Sequence, residues 1–470
     1  MTAALAPSRF LGPAAVALVC VVIGLVAGIN PALAIAGALG AILVLVLLAD
    51  LSAGLALFVL VTFLGVLPIA GGPAVSAAKA AGLLLVLSWL ATIATREDTR
   101  RDLFSAHPAL SYLLLLFVAW CLLSQLWASD PEQARLEASR YALNLALIPI
   151  VFTAVRTPRH VVWVAGAFVA GSTISALYGM VSRPAEATED LNRLAGTIGD
   201  PNQLATVLIA GAILSLGLAA ALNRPTQAPG RALAVGASAL CLIAALSTLS
   251  RGGLLALALL PVAILAFGGR WRKTGLAIWA VAAVAAGAYF VSFAPEEARE
   301  RIVQADGGSG RTEIWTVGWR MVEDKPLAGV GAGNFQNSSI DYLLEPGSIQ
   351  HGEFFIDDPK VAHNMYLDTL AGLGIVGLAV FLAIIGISIR CAFLAARRFA
   401  EADERGLELL ARAFLIALIA VLLADFFVSD QLSKQLWLLI AMGPALLAVA
   451  NSGSYGREAE PRPAFDPAAS

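Results

Sequence analysis

The sequence predicts an all-α polytopic membrane protein with about 12–14 transmembrane helices. Three observations carry this. The 470 residues are 59% hydrophobic and only 14% charged, whereas soluble domains hold about a quarter charged residues. Several apolar runs reach about 18 residues or more, long enough to cross ~30 Å of hydrocarbon as a helix. Lys and Arg concentrate in alternate short connections, which is the signature of cytoplasmic loops. Little sequence lies between the runs, so residues 1–450 read as a single integral-membrane domain and 451–470, polar and Pro-containing, as a disordered cytoplasmic tail.

Taken in order, the apolar spans fall at 10–29, 32–49, 51–70, 74–94, 109–127, 141–155, 161–182, 203–222, 232–250, 253–269, 274–293, 364–388, 411–429 and 435–450. The sixth is short, and almost nothing joins the second to the third. The first has only Arg9 before it and no cleavage site, so it reads as a retained helix. With the N-terminus inside, the inner loops hold REDTRR (96–101), RTPR (156–159), NRPTQAPGR (223–231), RWRK (270–273) and the segment from Arg390 to Arg412. Both termini are then cytoplasmic. The cysteines Cys20, Cys121, Cys241 and Cys391 show no CxxC spacing, which suggests neither disulfides nor zinc. A net charge of −2 is silent on nucleic acid, and none is expected as a partner.

Two outer segments are long enough to build a site, 182–203 and the loop from about 294 to 362. Within the latter, Ile314, Val317, Met321 and Val322 fall near one face of a short helix, followed by the glycine-rich turn GVGAGNF. That helix is expected to lie on the membrane surface or to cap the bundle. After the loop comes HNMYLDTLAGLGIVG, starting at His363. Eleven residues make almost three helical turns, so Gly374 is expected beneath His363 on one stripe, about 16 Å deeper, with Gly377 close to it. Small residues let a neighbouring helix approach. His363 then stands at the outer end of a packed seam, either in a wet cleft or merely as an interfacial cap.

Arginines on the outer side run against the usual charge bias, yet Arg193, Arg251 and Arg311 each sit near a predicted helix end or glycine turn. Arg251 stands between two apolar runs with no real loop, and no carboxylate is near it in sequence. Such a charge must snorkel or pair. A guanidinium fork suits phosphate oxygens, so several converging arginines would make a diphosphate site. Alternatively, each snorkels alone to lipid headgroups. Outer carboxylates and histidines are few, so no metal and no cofactor are expected. Lys79, Asp368 and Asp425 are intramembrane charges that look scattered.

These stretches together resemble the O-antigen ligase and polymerase superfamily. The ligases carry a histidine, a small polar residue, nine residues, a glycine, two residues and a glycine. His363, Asn364, MYLDTLAGL, Gly374, Ile-Val and Gly377 fit completely. Arg251 and Leu255 fit the family's arginine with a leucine four residues on, RLAGTIGDPNQLA (193–205) resembles a third segment, and 310–335 resembles the long outer loop. The similarity spans roughly 190–385.

The resemblance implies a GT-C-like, metal-independent, inverting glycosyltransferase of the inner membrane, with its active site facing the periplasm. Its donor would be a glycan on undecaprenyl diphosphate. Its acceptor would be lipid A–core in a ligase, which the complete histidine motif favours, or another lipid-linked glycan in a polymerase of O-antigen or exopolysaccharide repeats. It makes His363 the base, Arg251, Arg193 and Arg311 the diphosphate ligands, and Asn364 and Asn202 supporting residues. A flippase for lipid-linked glycan and a non-catalytic glycan-binding subunit are the rival readings. The first predicts mid-membrane charges, the second an activity that survives loss of His363.

Overall fold

The computed structural model describes residues 50–65, 77–95, 102–182, 193–292, 311–343 and 361–453, with isolated positions before residue 50. The expected spans at 10–29 and 32–49, most of the 294–362 loop outside 311–343, and the tail beyond 453 lie outside the described residues. Every regular element among those described is a helix, with no strand among them. Among the described residues nine helices are long and apolar enough to cross a membrane, and two further apolar helices are shorter. The protein is an all-α polytopic membrane protein.

The helices are α1 (Leu51–Val61), α2 (Ala77–Thr95), α3 (Leu103–Ala106), α4 (Pro108–Leu123), α5 (Pro131–Leu145), α6 (Leu147–Ala154), α7 (Pro158–Val181), α8 (Pro201–Ala221), α9 (Ala228–Ser247), α10 (Arg251–Phe267), α11 (Arg272–Ser292), α12 (Arg311–Asp324), α13 (Phe335–Leu343), α14 (Met365–Glu401), α15 (Arg405–Ala424) and α16 (Lys434–Ser452). Their starts are written in the sequence. Proline opens α4, α5, α7 and α8, where its fixed φ fits and its missing N–H is not needed. Asp50, Asp130 and Asp200 cap α1, α5 and α8 by accepting two backbone N–H bonds each.

The core is formed by α8, α14, α15 and α16, and glycines set their spacing. Gly217 of α8 faces Ala413 and Leu410 of α15, Gly211 faces Ser172 of α7, and Gly443 of α16 lies against the Ser388 backbone of α14. A side chain at any of these would collide with its neighbour. Lipid cannot drive apolar helices together, so close backbone contact does. By contrast α11 leaves Val281, Val284 and Val291 exposed and holds to α10 partly through Trp279, whose indole donates to the Leu257 carbonyl at 2.9 Å.

Two spans differ from expectation. The run 364–388 continues as helix to Glu401, so the basic segment after Arg390 is mostly not loop. Ala392, Ala395, Ala396 and Phe399 are buried at helical spacing, and this stripe carries the helix on while the arginines occupy the other face. The run 141–155 is the end of α5 followed by α6, broken at Ala146. Helix begins at Pro131, but the polar face of α5, with Glu132, Gln133, Arg135 and Arg140, hides it from hydropathy.

At the end of the bundle that holds the inner basic loops, buried Glu408 accepts from Arg412 at 3.0 Å and pairs with Arg270 at 2.5 Å. This ties the α10–α11 connection to α15. The opposite end carries the turns 124–130, 193–200, 248–250 and 425–433 together with α12 and α13, and it holds every candidate site residue.

Candidate functional site

The helix that follows His363 is not straight. Gly374 takes φ 68° and ψ −175°, which breaks α14 after its first nine residues. A break orphans carbonyls, and a buried orphan carbonyl is costly. Here three of them are met from outside the helix. Val330 N donates to Ala371 O at 2.8 Å, Gly331 N to Gly372 O at 2.9 Å, and the Trp120 indole to Leu373 O at 2.9 Å. Ile375 N in turn donates to Pro326 O at 2.9 Å. The partner of the Gly374 seam is therefore the loop 326–331, not a neighbouring helix, and the straight-stripe expectation is corrected. A Cβ on Gly374 would collide with the Leu327 carbonyl, and one on Gly377 would collide with the Leu373 side chain across the bend. The first glycine makes the break, and the second gives it room. The loop can approach so closely because Gly329, Gly331 and Gly333 all have positive φ.

The short segment before the break presents the histidine. Asn364 is the N-cap of α14, its Oδ1 accepting from Tyr366 N and Leu367 N at 3.0 Å each. That oxygen is thus committed to the helix start, which fixes the residue before it. His363 is half-buried and has φ 47°, a left-handed conformation that costs an L-residue roughly 1–2 kcal/mol. Such strain persists only where surroundings impose it, and it clusters at functional sites. One clamp is visible: the Trp315 indole of α12 donates to Ala362 O, the residue before His363, at 3.1 Å.

Trp315 lies one turn beyond Arg311, the first residue of α12. The Arg311 guanidinium stands over the Phe427 ring, 5.8 Å from its centroid. Phe427 also packs against Gly252, where a Cβ would come within 2.7 Å of the Phe427 Cβ, and Gly252 follows Arg251. Burial holds the Arg311 pKa below the ordinary arginine value. The Arg251 guanidinium adds to this, and Asp200 opposes it. The structure therefore brings Arg251 and Arg311 within electrostatic reach of each other, with Phe427 under the Arg311 guanidinium and against Gly252, and with the His363 turn tied to the helix of Arg311.

Arg193 takes a different position. Its Nε donates to Thr248 O at 3.0 Å and its Nη2 to the Asn202 Oδ1 at 2.8 Å. Two of its nitrogens are thus committed to bracing the turn 248–250, in which Leu249 has φ 52° and Ser250 caps α10 just ahead of Arg251. Asn202 sits in the first turn of α8 and joins the site through Arg193.

Sequence reading missed the aromatic frame and the loop Asp425–Ser433. Trp315 packs on Phe426 and Phe427 with centroids 5.7 and 6.4 Å apart, and Tyr366 packs on Phe426 at 6.2 Å while its hydroxyl donates to Leu422 O at 2.8 Å. Nor are the intramembrane charges scattered. Asp368 faces Ser429 and Gln431, Asp425 neighbours Asp430 and Tyr366, and Lys79 is within reach of Lys434. All gather at this one end. The signal was present as DFFVSDQ, two acids and two aromatics in a short outer connection between apolar spans.

Residues 236–382 match the family model described as O-Antigen ligase. No curated protein matches the chain. The matched segment contains Arg251, Arg311, His363, Asn364, Gly374 and Gly377, whereas Arg193 and Asn202 precede it. The match covers about a third of the chain, and over that segment the chain is similar to the O-antigen ligase family.

Proposed function

We propose that this protein transfers a glycan from undecaprenyl diphosphate to an acceptor sugar hydroxyl at the periplasmic face of the inner membrane, with inversion. The supporting observation is the shared frame: Trp315 ties the turn of His363 to the helix of Arg311, while Phe427 stands under Arg311 and against Gly252 beside Arg251. The neutral imidazole of His363 takes the acceptor proton as the hydroxyl oxygen attacks the anomeric carbon. The bond from that carbon to the diphosphate oxygen breaks, and the lipid diphosphate leaves with its electron pair. Arg251 and Arg311 stabilise the charge that gathers on it. Arg193, together with Asn202, holds Arg251 in place and lends positive charge to the same cleft. Asn364 fixes the histidine by capping α14, and Gly374 with Gly377 sets the angle at which the first turn enters the site.

Transfer to lipid A–core is the preferred reaction, and extension of another lipid-linked glycan the alternative. The test supplies purified protein, undecaprenyl-diphosphate glycan and EDTA, with lipid A–core or with donor alone. Core modification that disappears in His363→Ala supports a ligase, and a ladder of longer lipid-linked chains supports a polymerase. No new glycosidic bond with either acceptor overturns the proposal.

A further inference from the structure

The glycine-rich turn GVGAGNF holds Asn334, which the proposed transfer chemistry does not use. It is fully buried and stands directly before α13, where Ser338 N donates to its carbonyl at 2.9 Å. An asparagine in that place ordinarily caps its own helix. Here the side chain turns to a distant part of the chain. Its Oδ1 accepts from Asp130 N at 2.7 Å and from the Ser129 hydroxyl at 3.0 Å. Its Nδ2 donates to Asp130 O at 3.1 Å and to Ala332 O at 3.0 Å. A side-chain amide offers two acceptor and two donor positions, and all of them are used. Asp130 is itself held, because its Oδ1 caps α5 and its Oδ2 accepts from Asn337 at 3.2 Å.

Asn334 therefore pins the glycine loop to the start of α5. The same loop donates Val330 N and Gly331 N to Ala371 O and Gly372 O, the carbonyls freed by the break in α14. The fit towards α5 is close. A Cβ on Gly331 would collide with Ala128, and one on Gly333 would come within 3.0 Å of the Glu137 side chain. A loop wedged in this way passes the position of one element to the other, and a buried, fully satisfied polar network holds one arrangement. We propose that Asn334 is a positioning residue for glycan transfer: it fixes the 329–333 loop against the start of α5, and the loop fixes the bend of α14 and with it the turn of His363. This rests on the transferase reading.

The experiment compares wild type, Asn334→Ala, Ser129→Ala, Ser338→Ala and Trp120→Phe, with melting temperatures measured to verify folding. Ser338→Ala removes the 2.9 Å bond between the Ser338 and Ser129 hydroxyls, which lies in the same cluster but off the path to α14. Ser129→Ala removes that bond and one bond to Asn334, and is the milder variant should Asn334→Ala fail to fold. Asn334→Ala is expected to lower kcat at least about tenfold with donor and acceptor KM within about threefold, because it misplaces the base without touching substrate. Ser129→Ala should lower kcat in the same sense, and Ser338→Ala should leave it unchanged. Trp120→Phe removes the donor to Leu373 O at the same break. Combined with Asn334→Ala, its loss in kcat should fall short of the product of the single losses, because both act on one bend. Hydrogen exchange of peptides covering 326–333 and 363–372 should rise together in Asn334→Ala. Unchanged kcat in Asn334→Ala, or a loss in Ser338→Ala as large as in Ser129→Ala, overturns the inference and leaves the transferase reading standing. If wild type forms no glycosidic bond, that reading falls and hydrogen exchange decides: a joint rise supports Asn334 as the residue that positions the His363 turn, and a rise confined to the loop, or no rise, overturns it.

Discussion

His363 carries both the proposed chemistry and a backbone penalty, and the two are separable by substitution. At φ 47° glycine removes the left-handed cost and alanine keeps it. Both His363→Ala and His363→Gly are expected to lose at least about 10²-fold in transfer rate. The glycine variant should be the more stable by about 1 kcal/mol, read as a higher melting temperature. Arginine roles separate in the same way. Arg311→Gln should cost roughly 10²-fold in kcat with little change in melting temperature. Arg193→Gln also removes the bonds to Thr248 O and Asn202, so it should lower the melting temperature as well. A thermally silent Arg193→Gln would remove the bracing role. Asp430 makes a prediction about pH. Burial is the largest influence and raises its pKa, Ser433 lowers it, Asp200 raises it and Lys434 lowers it. The folded protein therefore holds a proton that the unfolded chain releases near pH 4. Stability should fall as pH rises from about 4 towards neutrality. Asp430→Asn should flatten that slope in melting curves, and an unchanged slope would show that Asp430 is not its source.

On the scale of elements, the break in α14 sets the direction of the first turn, which follows His363. The glycine-rich loop 329–333 and the glycines of α14 lie far apart in sequence but form one joint, because the broken helix needs donors and the glycines let the loop backbone come close enough to give them. Gly374→Ala adds left-handed strain of roughly 1–2 kcal/mol and overpacking of about 1–3 kcal/mol against Leu327. It should therefore destabilise the protein by about 3 kcal/mol and abolish transfer. A variant with wild-type melting temperature and activity would mean the bend is not required. Trp315→Phe keeps the ring contacts and removes the hydrogen bond to Ala362 O. It should lower kcat more than it raises KM, because it loosens the base and not the donor site.

For the whole molecule, the alternation of helix ends places all candidate site residues at one end and Arg231, Arg270 and Arg412 at the other. We propose from the positive-inside rule that the site faces outside. Accessibility labelling tests this, since Cys121, Cys241 and Cys391 are buried and Cys20 can be replaced by Ser. Exposed Glu323→Cys should react with an impermeant maleimide in spheroplasts. Exposed Arg231→Cys should react only after permeabilisation. The reverse pattern would invert the topology and remove the periplasmic site.

Fold class, the later span positions and the short helix of α12 follow from the sequence alone. Hydropathy, proline at helix starts and the spacing of Ile314, Val317 and Met321 are local properties, and lipid enforces them segment by segment. The histidine and the arginines were legible as residues that have no cheap reason to be where they are. What the tertiary structure decided was their relation. The approach of Arg251 to Arg311 beside Phe427, the use of Arg193 as a brace, the Trp315 clamp and the gathering of Asp368, Asp425 and Lys79 at one end all join residues distant in the chain. No periodicity encodes such contacts. The bend at Gly374 is the sharpest case, because a helical stripe drawn from spacing assumes unbroken 3.6-residue turns, and whether the helix breaks depends on donors supplied by another part of the chain.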